Sequence, residues 1–365
     1  MAPQRPQSAG AIPKPVESPA QTRPAKPPLY AALDLGTNSC RMLIAEPLGD
    51  HFSVIDSFSK TVQLGQGLES SGRLSRASMG RTVQAMRICK QKLSKHRVKN
   101  MRLVATEACR RAHNGLDLLK NIRRETGLSL EIIPPEEEAR LAVISCASLV
   151  RRTTQQLLVV DIGGGSTELV WIDLSQVPKR DRSEAIVNLE PGFTSPLGAK
   201  VVDWISVPLG VSTLREQFED VEDDAARFAL MSWFFEQSLE PFKPYTNEHD
   251  PKGFQIIGTS GTVTTIAASH LRLKRYDRLK VDGLTMTSDE VDTVIRDYLT
   301  LGPEGRRADP RIGRDRHSLI MSGAAILQAL LRCWPTDRVS VADRGLREGL
   351  LYSQMAGDGL LEVAP

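Results

Sequence analysis

Aromatic side chains make up only 5% of the 365 residues, and no apolar run reaches the length that a membrane-spanning helix needs. No signal-peptide core follows the N-terminus. Cysteine is scarce and odd in number: Cys40, Cys89, Cys109, Cys146 and Cys333, with no CxxC pair. That excludes a disulfide framework and a zinc ribbon, and a reduced, cytoplasmic setting is the simplest expectation. The six histidines never fall three or four residues apart, so they form no helical metal pair. Net charge is nearly absent as well. The formal +3 is supplied entirely by residues 1–29, where Arg5, Lys14, Arg23 and Lys26 stand against Glu17 alone. The rest of the chain balances to zero, which argues against nucleic acid or a membrane as partner. Any anion site has to be a local arrangement.

The hydrophobic share of 41% and charged share of 25% suit a soluble protein, and the length suffices for two domains with cores of their own. Residues 1–29 hold eight of the 22 prolines and no aromatic residue, and are expected to be a disordered tail. From Tyr30 onward, strand and helix patterns alternate. Strands are predicted at 30–35, 40–45 and 52–58. A helix then carries Met79, Val83, Met86 and Leu93 on one face. A strand at 101–105, a helix at 116–124 and a strand at 128–133 follow. Pro134 and Pro135 open a helix expected to run through Val150. A second round starts with strands at 157–161 and 167–172, a polar loop or hairpin insertion from 173 to 200, and a strand at 201–208. Helices near 225–239, 262–271, 288–299, 318–333 and 345–354, with strands at 254–257 and 339–341, complete it. The expected division is an N-terminal α/β domain at 30–142 and a C-terminal one at 143–365.

One local pattern occurs twice: Leu33-Asp34-Leu35-Gly36-Thr37-Asn38-Ser39 and Val160-Asp161-Ile162-Gly163-Gly164-Gly165-Ser166-Thr167. Each copy has an apolar strand, an Asp at its end, Gly two residues on, Ser five residues on, and a second strand. A single such turn is an ordinary hairpin. A duplicate at domain spacing points to two phosphate loops, since Gly lets backbone N–H groups converge on an anion. Thr37, Asn38, Ser39, Ser166 and Thr167 add side-chain donors. An Asp beside a phosphate is repulsive unless a cation lies between them, and Mg²⁺ suits one or two carboxylates plus phosphate oxygens. A third Gly-rich loop, Gly258-Thr259-Ser260-Gly261-Thr262, joins a strand to a helix. It is equally a tight turn capped by Thr262 and an anion site at a helix N-terminus.

The segments AALDLGTNSCRMLIAE, ATEACRRA, PPEEEARLA, VVDIGGGSTELV, GTSGTVTTIAA and VADRGLREGLLY span Ala31 to Tyr352. In this order they resemble the exopolyphosphatase/guanosine pentaphosphate phosphohydrolase family, and more distantly the actin, Hsp70 and sugar-kinase superfamily. The resemblance implies an α/β fold of two ribonuclease-H-like (actin/Hsp70/sugar-kinase type) domains with an interdomain cleft. It implies release of terminal phosphate from inorganic polyphosphate or from guanosine pentaphosphate, and a homodimer. By motif position Glu138 is the base that activates water. Asp161, Gly163, Gly164, Gly165, Ser166, Thr167 and Glu168 form the phosphate and metal loop. Asp34, Gly36, Thr37, Asn38, Ser39 and Arg41 form the facing loop, with Asp34, Asp161 and Glu168 as Mg²⁺ ligands. Arg110 is a phosphate-binding cation, and Gly258, Ser260 and Gly261 complete the contacts.

Three departures stand beside these implications. Many relatives carry a C-terminal helical domain of the HD type, whereas this sequence ends at Pro365; His249-Asp250 has no second histidine motif; and relatives often show Arg-Leu-Gly where Gln63-Leu64-Gly65 stands here. Residue chemistry alone does not separate Glu136, Glu137 and Glu138, because all three suit the positive end of a helix. Rival readings are a kinase or ATPase of the same superfamily and a guanosine pentaphosphate sensor without turnover.

Overall fold

The structure, a computed structural model, describes residues 27–49, 51–246, 252–313 and 316–361. The tail expectation, apart from its last three residues, and the His249-Asp250 pair lie outside them. The first sheet holds β1 (Tyr30–Leu35), β2 (Ser39–Leu48), β3 (His51–Thr61), β4 (Asn100–Ala105) and β5 (Glu131–Ile132), in the order β3-β2-β1-β4-β5. The second holds β6 (Gln156–Ile162), β7 (Thr167–Asp173), β8 (Lys200–Val207), β9 (Phe254–Thr259), β10 (Thr285–Met286) and β11 (Val339–Ala342), in the order β10-β11-β9-β6-β7-β8. The two sheets repeat one topology. In each, a Gly turn joins an antiparallel pair, β1 with β2 and β6 with β7, and the first strand pairs in parallel with the next element, β4 or β9. The sequence repeat is therefore a repeat of whole domains, two actin-like α/β units.

Central strands with both faces covered are apolar on both, and alternate residues feed different cores. From β1, Ala31, Leu33 and Leu35 pack beneath the helix Arg76–His96, while Tyr30 and Ala32 pack on the helix Leu346–Gly357. From β6, Leu158, Val160 and Ile162 join the core of the helices Gly261–His270 and Ile320–Cys333. Leu157 and Val159 join Ala139 and Val143 of the helix Pro135–Ser145. Helices Pro135–Ser145 and Leu346–Gly357 touch each other between the sheets, where a Cβ on Gly349 would lie 2.1 Å from the Leu141 carbonyl oxygen. The helix Pro135–Ser145 spans the expected division at 142/143, and the last helix returns to pack on β1 and β2.

Several expectations are corrected. The stretch from 173 to 200 is not a polar insertion: it contains the helix Arg182–Val187 and a 3-10 turn Pro191–Phe193, and buries Val177, Ala185, Ile186, Leu189 and Phe193. The helix opened by Pro135 ends at Ser145, followed by a separate 3-10 turn Ala147–Leu149. The strand at 128–133 shrinks to Glu131–Ile132. The helix from Ser288 runs on to Ala308, with a break at Gly302 (φ 64°) ahead of Pro303. The small-residue stretch 322–325 lets the helix Ile320–Cys333 approach Thr262 closely, for a Cβ on Gly323 would meet Thr262 Oγ1 at 2.0 Å.

Candidate active site

Strand alternation directs both aspartates of the repeat inward. Asp34 shares the face of Tyr30 and Ala32, and Asp161 that of Leu157 and Val159, so both face the space where the two central helices meet. The two turns are built alike: Gly36 N–H donates to Ser39 O at 3.0 Å, and Gly163 N–H to Ser166 O at 2.9 Å. Behind each turn the carbonyls are held. Thr37 O accepts from Gly65 N–H, and Asn38 O from Val62 and Gln63 N–H, each at 2.9 Å. Gly163 O accepts from Val211 N–H at 2.9 Å and Gly164 O from Ser212 N–H at 2.8 Å. In a trans peptide the following N–H is opposed to its carbonyl, so the N–H groups of Asn38, Ser39, Gly164 and Gly165 are turned to the other side of their loops. Thus Gln63-Leu64-Gly65 braces the first loop from behind.

The loops also touch. A Cβ on Gly164 would lie 3.1 Å from Asn38 N, and one on Gly165 would lie 2.5 Å from Thr37 Oγ1. These glycines are required by loop-to-loop contact. Around them lies a cavity of about 190 Å³. Its walls include Asp34, Gly36, Thr37, Asn38, Ser39 and Arg41 from the first loop, and Asp161, Gly163, Gly164, Gly165 and Ser166 from the second. Glu138, Ser260 and Gly261 complete the expected residues found there.

The structure separates the three glutamates. Glu137 pairs with Arg102 at 3.0 Å and Arg140 at 2.8 Å, away from the cavity wall. Glu136 also lies off that wall. Glu138 alone lines it, and its Oε2 accepts from Arg110 Nη1 at 2.8 Å. Arg110, expected as a phosphate-binding cation, is placed beside Glu138 and off the cavity lining. Nη1 also donates to Ile133 O at 2.7 Å, and Nε and Nη2 donate to Glu107 Oε2 at 3.3 and 2.9 Å. Arg110 does not reach the cavity wall and fixes Glu138 instead. Burial pushes the Glu138 carboxyl well above its ordinary range; Glu168 and Asp34 raise it further and Arg110 opposes them. Replacing Arg110 by Ala is expected to move the acidic limb of the pH–rate profile to higher pH, because the opposing cation is gone, while Lys largely restores it. A rate loss equal at every pH would leave Arg110 only a structural role.

Three other assignments change. Glu168 faces Asp161 across the β6/β7 pair, but its Oε1 accepts from Ser166 Oγ at 2.7 Å and Ser206 Oγ at 2.8 Å, and the residue is fully buried off the cavity wall. It holds Ser166 and Ser206 in place, and the structure sets it off the cavity lining where a metal ligand was expected. Thr167 Oγ1 donates to Leu209 O at 2.7 Å and is not available to an anion. Gly258 lies inside β9, where a Cβ would crowd Val263, so the third loop reaches the cavity through Thr259, Ser260 and Gly261. Ser260, at φ 136°, caps the helix by accepting from Thr262 N–H at 3.2 Å.

Sequence reasoning missed Arg316, Arg344 and Arg347 on the same wall. Arg316 donates to Gly261 O at 3.1 Å and Thr265 Oγ1 at 2.7 Å. Arg344 is held by Asp282 at 2.8 Å. The last two stand in the VADRGLREGLLY segment after β11, a strand-to-helix turn like the third loop; no local signal marks Arg316.

The electrostatics are unrelieved in both signs. Arg41 is half-buried, with a buried Nε that lacks a hydrogen-bond partner among the described residues, and desolvation together with the nearby Arg347 and Arg316 guanidiniums lowers its pKa, against Asp34. Burial raises Asp161 to about 7, helped by Glu138 and Asp34. Burial likewise raises Asp34, opposed by Arg41 and Arg347. A cavity that crowds guanidiniums and also crowds carboxylates suits an anion bound together with a cation. Among the described residues no three His, Cys, Asp or Glu side chains form a ready metal cage. The donor set of Asp34 and Asp161 still fits a hard divalent ion that completes its shell with water and phosphate oxygens.

The pattern of the Ppx/GppA phosphatase family matches residues 43–357. A guanosine-5'-triphosphate,3'-diphosphate pyrophosphatase of Aeromonas salmonicida (strain A449) is 28% identical over 332 residues, 91% of this chain and 60% of that protein. The chain thus spans about 60% of the length of the curated relatives it matches. Among solved structures, the Ppx/GppA family member of Aquifex aeolicus is 29% identical with a TM-score of 0.71, covering 91% of this chain and 98% of that one. An exopolyphosphatase-like protein is 26% identical with a TM-score of 0.75, covering 90% and 98%. With its repeated turns, inward aspartates and a family pattern over most of its length, the chain belongs to the Ppx/GppA phosphatase family.

Proposed function

We propose that the chain is an exopolyphosphatase, cleaving the terminal phosphoanhydride bond of inorganic polyphosphate by water attack. One observation carries the choice of substrate. The cavity is small, rich in loop amides and arginines, and has no aromatic ring among its lining residues. Phosphates need donors and cations, whereas a nucleobase needs a flat apolar slot and more room than about 190 Å³. The N–H groups of both loops, with Arg41, Arg316 and Arg347, bind the equatorial oxygens of the terminal phosphate and its neighbour. Arg110 holds Glu138 so that its carboxylate takes the proton of the attacking water. Asp34 and Asp161 would hold Mg²⁺, which when bound supplies charge neutralisation at the leaving phosphate. Glu168, through Ser166, keeps the second loop oriented. Turnover passes the proton to Glu138 and leaves orthophosphate and a chain shorter by one unit.

A second reading, guanosine pentaphosphate phosphohydrolase, is favoured by the names of the Aeromonas relatives. Competing steady-state assays at equal terminal-phosphate concentration separate the two. The highest kcat/KM is expected on polyphosphate. A higher value on guanosine pentaphosphate than on polyphosphate of every length tried would make the second reading the correct one.

A further inference from the structure

We infer that residues 272–280 form an outer binding track for polyphosphate, carrying the part of the chain that extends beyond the cavity; this rests on the exopolyphosphatase reading. The stretch Arg272-Leu273-Lys274-Arg275-Tyr276-Asp277-Arg278-Leu279-Lys280 follows the helix Gly261–His270, whose first turn lines the cavity. Tyr276 lies near Asp343 and Thr264, both of which line the cavity. Arg278 Nη2 donates to Asp343 O at 2.6 Å. Just beyond the stretch, Asp282 binds Arg344, another cavity residue, at 2.8 Å. The stretch is therefore tied to the rim through Arg278 and, just past its end, through Asp282.

Its charges divide into two sets. Every nearby carboxylate is engaged: Asp277 by Lys280 at 3.8 Å, Asp282 by Arg344, Asp343 by Arg278 at 3.4 Å, and Glu348 by Arg278 at 3.5 Å and Arg347 at 3.7 Å. Arg272, Lys274 and Arg275 are exposed, and no charged or hydrogen-bonding side-chain partner is found for them among the described residues. Three unneutralised cations thus stand on a segment anchored to the mouth of a cavity whose own arginines are crowded. Such a row adds positive charge beside the cavity arginines and offers contacts that need only repeating phosphates. Arg272, Lys274 and Arg275 lie outside the cavity lining, so these cations act on long chains and not on short ones.

The test is a triple variant, Arg272→Gln, Lys274→Gln and Arg275→Gln, assayed on tripolyphosphate and on polyphosphate of roughly a hundred units. The ratio of kcat/KM on the long chain to that on tripolyphosphate should fall about tenfold, through KM. The slope of log KM against log salt on the long chain should become shallower by about one per removed cation. The charge-preserving pair Arg272→Lys and Arg275→Lys should keep the wild-type ratio, which separates charge from folding. A control with Lys90→Gln and Lys95→Gln, exposed on the helix Arg76–His96, removes surface charge elsewhere and should keep the ratio too. If the wild type cleaves polyphosphate and the triple variant keeps both ratio and salt slope, the track is overturned. If the wild type cleaves no polyphosphate of any length, the exopolyphosphatase reading fails first and the track falls with it.

Discussion

Replacing Glu138 by Gln is expected to lower kcat by about 10²–10⁴-fold while leaving polyphosphate binding in place, since a general base typically contributes that much. The substitution keeps the size of the side chain and an oxygen that Arg110 can donate to, so the clamp at 2.8 Å survives in outline. What is lost is the ability to take a proton. The basicity argument follows from the surroundings. Burial, Glu168 and Asp34 hold the Glu138 carboxyl above its ordinary range, and Arg110 restrains the rise. A carboxylate so placed is a stronger base than an exposed glutamate once it is ionised. The acidic limb of the wild-type pH–rate profile should accordingly lie above the usual glutamate range, and the variant should lack that limb. The Gln protein should also gain stability at alkaline pH, because it removes one member of a crowd of buried carboxylates. Near-wild-type turnover at saturating Mg²⁺ would take Glu138 out of the mechanism, and Glu107, the nearest other cavity carboxylate held by Arg110, would be the next residue to test.

The parts of this site that were legible in the sequence are those governed by local periodicity. The repeated Asp-x-Gly-x-x-Ser turn, the inward direction of each Asp and the shared side of Ser166 and Glu168 all follow from strand alternation, which acts over a few residues. In the structure Ser166 and Glu168 share that side and satisfy each other, and Glu168 does not line the cavity. Arg110 shows the same limit. Its proximity to the site is local, being four residues past the Thr106 that lines the cavity, but its partner is set by Ile133 and Glu138, which arrive from another element. Arg316 leaves no local signal because only the packing of its segment on the helix Gly261–His270 brings it to Gly261 and Thr265. The stretch from 173 to 200 was misjudged for a related reason. Its buried side chains, Val177, Ala185, Ile186, Leu189 and Phe193, are spaced too irregularly to read as one helix or strand, although together they cover one face of the second sheet.

Removing the Asp161 carboxylate is expected to raise the Mg²⁺ concentration for half-maximal activity by about tenfold or more, in line with the cost of weakening a metal site. Burial, Glu138 and Asp34 raise Asp161 from 3.8 to about 7. In the metal-free protein the folded state therefore keeps a proton that the unfolded chain has released, over the window from about pH 4 to pH 7. The stability tied to that proton is fully present below pH 4 and is lost as pH rises through 7. Chelated wild-type protein should thus lose melting temperature between pH 5.5 and pH 8. Mg²⁺ should restore much of it at pH 8 and little at pH 5.5, where a proton competes for the carboxylate. In Asp161→Asn the amide cannot ionise, so both the pH trend and the Mg²⁺-dependent gain should shrink together. Paired melting curves with chelator or with Mg²⁺ at the two pH values, alongside the activity titration, measure both effects. An Asp161→Asn protein with an unchanged Mg²⁺ titration and an unchanged Mg²⁺-dependent melting shift would place the cation on other residues, with Asp34 and Asp343 the remaining aspartates of the cavity wall.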